Sequence, residues 1–201
     1  MRLVFYYDVV CPYAYLASTR VEALAARANV PLDPVPILLG GVFRQIGTPD
    51  IPAHAAPLAK QRLGRLDLAR YAALYDVPLT LPPEHPRRTV DAMRLLHAAP
   101  DSARWPLTHA LYRAYFADGL DVADRDHLAQ IARAVGLGDD LLARIDEQAV
   151  KDSLRAATDA AVKDGVFGVP GFVLVDGEKR TLYWGQDRMH FVERALVQRS
   201  S

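Results

Sequence analysis

Cysteine is almost missing from the 201 residues: Cys11 stands alone. That excludes an internal disulfide and any multi-cysteine zinc or iron–sulfur site. An excess of either charge is missing too, with 24 Lys+Arg against 24 Asp+Glu. Such balance argues against a nucleic-acid binder held by counterion release. No stretch approaches the roughly 18–20 uncharged apolar residues that a membrane span requires. The apolar N-terminal residues are interrupted by Asp8 and Pro12, with only Arg2 as a basic group, so a secretory leader is not expected. The expected setting is cytoplasmic, where reducing conditions keep Cys11 a free thiol. The six histidines show no ligand spacing. P-loop, dinucleotide and Gly-x-Ser-x-Gly signatures are absent as well. What is present is a composition 51% apolar and 24% charged. It suits one sizeable domain, or a compact domain with an insertion, and neither a disordered chain nor a coiled coil.

Hydrophobic patterning divides the chain. Leu3-Val4-Phe5-Tyr6-Tyr7 reads as a buried strand. A helix follows over about residues 13–28, with Tyr13, Leu16, Ala17, Val21, Leu24 and Ala25 on one stripe. Val35 to Leu39 reads as a second strand, placed at an edge because Pro36 lacks a ladder donor. Gly40-Gly41 marks a break. Beyond it the pattern is helical to about residue 165, with Pro49, Pro52 and Pro57 in a loop and Pro78, Pro82, Pro83 and Pro86 in a connector. Helices are expected over 59–75, 89–98, 102–117, 125–135, 139–147 and 148–164. Strands return with residues 171–175, the hairpin signal Asp176-Gly177, and residues 180–184. Asp187 is then expected to cap a last helix with Phe191, Ala195 and Leu196 inward. The order is βαβ, a helical block, then helix, hairpin and helix. The simplest arrangement is an α/β fold with one sheet and the block inserted as a subdomain.

Two stretches carry candidate chemistry. In Val10-Cys11-Pro12-Tyr13-Ala14, Cys11 ends a strand and opens a helix. Pro12 suits the first helical position. A sulfur there faces free amides and the positive end of the helix dipole, so a stabilised thiolate with lowered pKa is expected. A lone cysteine is about as often an inert buried thiol. In Phe167-Gly168-Val169-Pro170-Gly171, a proline directly before a strand suggests a cis peptide that would expose the Val169 amide and carbonyl. Taken by itself the stretch favours a trans proline opening an edge strand.

Together these features resemble the thioredoxin fold of DsbA-like proteins. The ordered set Tyr7-Asp8, Cys11-Pro12-Tyr13-Ala14-Tyr15-Leu16-Ala17, Phe167-Gly168-Val169-Pro170 and Trp184-Gly185-Gln186-Asp187-Arg188-Met189 is similar to 2-hydroxychromene-2-carboxylate isomerases and kappa-class glutathione transferases. The resemblance runs over nearly the whole chain. It implies a thioredoxin-like βαβ–αββα domain over 1–40 and 150–201, with an all-helical subdomain over 41–149. It also implies a glutathione site. Position 11 is usually a serine whose hydroxyl holds the glutathione thiolate. Lys60 matches a lysine paired with a glutathione carboxylate. Val169, before Pro170, matches the residue that pairs with the cysteinyl backbone. Gln186 and Asp187 match the polar pair at the γ-glutamyl end, and Thr48 aligns with a position that is often Asn. As residues alone, Lys60 reads as an exposed helix lysine and Asp187 as a plain N-cap.

The resemblance further implies that glutathione thiolate adds to an electrophilic conjugated carbonyl compound, with an aromatic carboxylate as the expected substrate class. The adduct then rotates, and thiolate leaves. The region from Arg88 to Asp91 would lie by the substrate pocket, and relatives of this kind are dimers. Two departures stand out. Cys11 replaces serine, which opens an alternative reading as a monothiol, glutathione-linked thiol–disulfide oxidoreductase. Ala14 stands where a dithiol enzyme has its second cysteine. Gly171 replaces a residue that is often Thr, and a looser strand is expected there.

Overall fold

The computed structural model describes residues 1–49 and 55–197; Pro52 and His54 lie outside them. β1 (Arg2–Tyr7) is apolar on both faces because it is one of the sheet's two inner strands, buried from Leu3 onward. β2 (Leu32–Pro36) runs parallel to it, with Leu3 opposite Leu32 and Tyr7 opposite Pro36. β3 (Gly171–Asp176) runs antiparallel on its other side, with Phe5 opposite Phe172. β4 (Lys179–Trp184) closes the sheet in the order β2-β1-β3-β4. Gly177 makes the hairpin at φ 58, a value a side chain resists.

The parallel pair needs a crossover, which α1 (Pro12–Arg27) supplies. Cys11 is its N-cap and Pro12 its first residue. Between β2 and β3 come α2 (Leu39–Ile46), α3 (Leu58–Leu74), α4 (Val90–Ala98), α5 (Asp101–Phe116), α6 (Arg125–Ala134), α7 (Asp140–Arg144) and α8 (Gln148–Lys163). A 3-10 turn (Gln186–Arg188) leads into α9 (Met189–Val197). Among the described residues no helix is long and apolar enough to cross a membrane.

Aromatic packing joins the sheet to the helical block. Phe5 stacks on Tyr7 and on Phe172, each at 5.4 Å between centroids. Tyr15 of α1 stacks on Tyr112 and Phe116 of α5 at 5.1 and 5.5 Å. Burying each such ring contributes on the order of 2–3 kcal/mol. Tyr7 shares a 2.7 Å hydrogen bond with Thr108 of α5.

Three expectations are corrected. The second strand ends at Pro36 and does not begin at Val35; pairing with Leu3 to Tyr7 sets its span, and both prolines fit on an edge strand. Gly40-Gly41 is no break, since both lie in α2. A Cβ on Gly41 would stand 3.2 Å from Thr158 Cγ2, so glycine there lets α2 lie close to α8. Phe191 points outward and is 49% exposed. The 3-10 turn includes Asp187, so α9 starts at Met189 and its buried stripe is Met189, Val192 and Leu196.

Candidate functional site

The turn after β1 is built by Asp8. Its main-chain oxygen accepts from Cys11 N at 3.0 Å, and its carboxylate accepts from Val10 N at 3.1 Å. This closes the chain so that Cys11 enters α1 extended, with φ −90 and ψ 113. The Val169–Pro170 bond, which precedes β3, is cis. The Cys11 thiol donates to Val169 O at 3.2 Å. Two groups 158 residues apart thus meet because β1 and β3 are neighbours. A second cis bond, His85–Pro86, carries no sequence signal beyond the proline itself.

Burial overturns the expected thiol chemistry. Cys11 is only 8% exposed, and loss of solvent pushes its thiol up to about 12. The amides of Ala14 and Tyr13 favour the thiolate, but less strongly, and the charge of Asp8 opposes it. The helix start therefore does not activate this sulfur; desolvation outweighs it. Cys11 is therefore an S–H donor, to Val169 O.

Pro170 O accepts from Gly185 N at 3.1 Å, which brings the 3-10 turn against the same loop. Gly185 has φ 98, and a Cβ on it would lie 2.5 Å from Asp187 Oδ1. Only glycine allows that turn. Gln186 is 2% exposed, and its Oε1 has no hydrogen-bond partner among the described residues. A buried acceptor left unmade costs about 1–3 kcal/mol, so its retention needs a reason. Asp187 beside it is half-exposed, with an Arg188 guanidinium nitrogen 3.5 Å away. Its charge reaches the hydroxyls of Tyr13 on α1 and Tyr75 just after α3.

Lys60 is exposed near the start of α3. It lies one turn before Gly64, whose carbonyl accepts from the Tyr13 hydroxyl at 3.3 Å. Thr48, half-buried, follows the left-handed Gly47 that ends α2, and its amide donates to Phe43 O. Among the described residues no hydrogen bond joins Lys60 or Thr48 to the group formed by Cys11, Val169, Pro170, Gln186 and Asp187. Sequence reasoning did not single out Asp8 as a functional group. The signal available was an acid inside an otherwise apolar run. Gly171 does not loosen its strand: a Cβ there would stand 3.3 Å from Val166 Cγ1, so Val166 fills the space a side chain would take.

A βαβ unit followed by an antiparallel hairpin, with a cysteine at the first helix facing a cis-proline, defines the thioredoxin fold. A family model described as DSBA-like thioredoxin domain matches residues 2–197, and the chain belongs to that family. Among curated relatives it is 31% identical to a 2-hydroxychromene-2-carboxylate isomerase of Sphingobium xenophagum, covering 96% of both chains. It is 30% identical to glutathione S-transferase kappa 1 of Rattus norvegicus, over 96% of this chain and 90% of that one. A solved structure of a 2-hydroxychromene-2-carboxylate isomerase superposes with a TM-score of 0.83 at 24% identity, covering 98% of this chain and 95% of the other.

Proposed function

We propose that the protein is a glutathione-dependent enzyme of the 2-hydroxychromene-2-carboxylate isomerase type, or a kappa-like transferase. The observation that carries this reading is the orphaned Oε1 of buried Gln186 beside Asp187. An acceptor and an acid side by side suit an ammonium group, such as the one at the γ-glutamyl end of glutathione. The Val169 amide and carbonyl, beside the cis bond, suit an extended peptide backbone that would take the carbonyl over from the Cys11 thiol. Lys60 is the cation that would meet a terminal carboxylate. Bound glutathione would supply the thiol that reacts with a conjugated carbonyl compound.

Cys11 in this reading stays protonated and donates its S–H to the bound sulfur, the role a hydroxyl fills where serine stands. The donor becomes free when a ligand amide takes its place at Val169 O. The same burial opposes the monothiol oxidoreductase reading, which requires Cys11 as thiolate nucleophile.

Calorimetry with reduced glutathione tests the proposal, using wild type and Cys11→Ser. Binding by both proteins, with no glutathione mixed disulfide on Cys11 by mass spectrometry, is the expected result. No heat at millimolar glutathione would overturn it. A stable mixed disulfide, formed with oxidised glutathione under turnover conditions, would move the assignment to redox chemistry.

A further inference from the structure

Asp8 is a fully buried carboxylate, 0% exposed, and among the described residues no basic side chain pairs with it. Its acceptors are filled by neutral donors from three segments. Oδ1 takes Val10 N at 3.1 Å, in the Cys11 turn. Oδ2 takes Leu39 N at 2.9 Å, at the first residue of α2, and Thr89 Oγ1 at 3.2 Å, just before α4. Its main-chain oxygen takes Cys11 N and the Tyr112 hydroxyl of α5, at 3.0 and 3.3 Å. A buried ion without a counter-charge is costly. An apolar residue could end β1 without that cost, so the charge itself calls for an explanation.

We propose that Asp8 is a positioning residue: its carboxylate clamps the Cys11 turn to the starts of α2 and α4, so that the sulfur, the segment leading to Thr48 and the Arg88–Thr89 segment move as one unit. The proposal rests on Cys11 being the functional end of the site. Asp8 also acts on Cys11 through its charge, which disfavours the thiolate. The other titratable groups that feel Asp8 are the hydroxyls of Tyr7, Tyr112 and Tyr115, all held neutral by burial. Burial pushes the Asp8 carboxyl up to about 6, against the opposing pull of Leu39, Val10 and Thr89. Asp8 therefore changes charge in a range where the others do not.

The test is the pH dependence of Cys11 modification by methyl methanethiosulfonate, followed by mass spectrometry from pH 5 to 9. In wild type the logarithm of the rate should rise with a slope below one through the range near pH 6, because ionising Asp8 makes the thiol a weaker acid. In Asp8→Asn the slope should be one throughout, and the rate at pH 8 higher than in wild type, because the charge that disfavours the thiolate is gone. Thr89→Val keeps the charge and should retain the inflection while moving it to higher pH, since a bond favouring the carboxylate is gone. Both variants should bind glutathione at least several-fold more weakly. Should Asp8→Asn fail to fold, Thr89→Val carries the test. A wild-type slope of one across the range, or an inflection that Thr89→Val leaves in place together with unchanged glutathione affinity, would overturn the clamp. The modification arm needs no bound glutathione, so absence of binding by wild type sinks the functional reading and leaves the clamp to be judged on its profile.

Discussion

Replacing Gln186 by Met should make the free protein more stable and the glutathione complex weaker. Gln186 is buried, and its Oε1 accepts nothing among the described residues. A buried acceptor in that state costs about 1–3 kcal/mol. Methionine has a similar unbranched length and no amide to desolvate. Removal of the oxygen should return on the order of 1 kcal/mol to the free fold, after some loss for imperfect packing. For a chain of this size that is a rise of roughly 2–4 °C in Tm. The same substitution removes the acceptor assigned to the ligand ammonium, and a hydrogen bond to a charged group contributes about 1.5–3 kcal/mol. Glutathione affinity should fall by about tenfold to a hundredfold. Thermal unfolding without ligand and calorimetry with reduced glutathione measure the two terms separately. Opposite signs are the signature of an acceptor kept for a ligand at the expense of the fold. Lower stability with unchanged affinity would refute the reasoning, because Gln186 would then be a structural residue.

Two further outcomes follow from the packing and the charges. Gly171→Thr should destabilise by about 1–3 kcal/mol, because its Cβ would enter the space of the buried Val166 side chain. Val166→Ala in the same chain should recover much of that loss in urea unfolding, and independent, additive effects would show that the two side chains do not compete. Asp8 should also leave a mark on stability. Its carboxyl rises from the ordinary 3.8 to about 6 in the fold, so the folded state binds that proton more tightly than the unfolded chain. The ionised group costs the fold about 3 kcal/mol above pH 6, and the cost fades as pH falls from 6 towards 4. Wild type should gain stability relative to Asp8→Asn between pH 7 and pH 5, and parallel curves for the two proteins would contradict the burial of a charged Asp8.

Much of the architecture was legible because its signals are local. The apolar run of β1, Pro12 opening α1, and Asp176-Gly177 before β4 each act through backbone preference or periodicity, which neighbouring residues carry with them. The long helices between β2 and β3 were readable for the same reason. The misread elements depend on partners far away in the chain. β2 takes its span from pairing with Leu3 to Tyr7, Gly41 is explained by Thr158 more than a hundred residues later, and the inward face of α9 follows from a 3-10 turn that absorbs Asp187.

The candidate site divides in the same way. Local residue order supplies the chemical groups: one sulfur at a strand–helix junction, a proline before a strand, and a Gln-Asp pair after a Gly. Their ionisation and pairing follow from how the folded chain surrounds them. Whether a helix start activates a thiol depends on a balance between amide donors, which are local, and loss of water, which is not. Here Cys11 is enclosed in the core, with the Val169 carbonyl before β3 bonded to it and Tyr112 of α5 nearby, and that enclosure leaves the sulfur protonated. The same enclosure leaves Gln186 Oε1 without a partner and closes three neutral donors around Asp8. Solvation is a property of the assembled surface, and no window of sequence contains it.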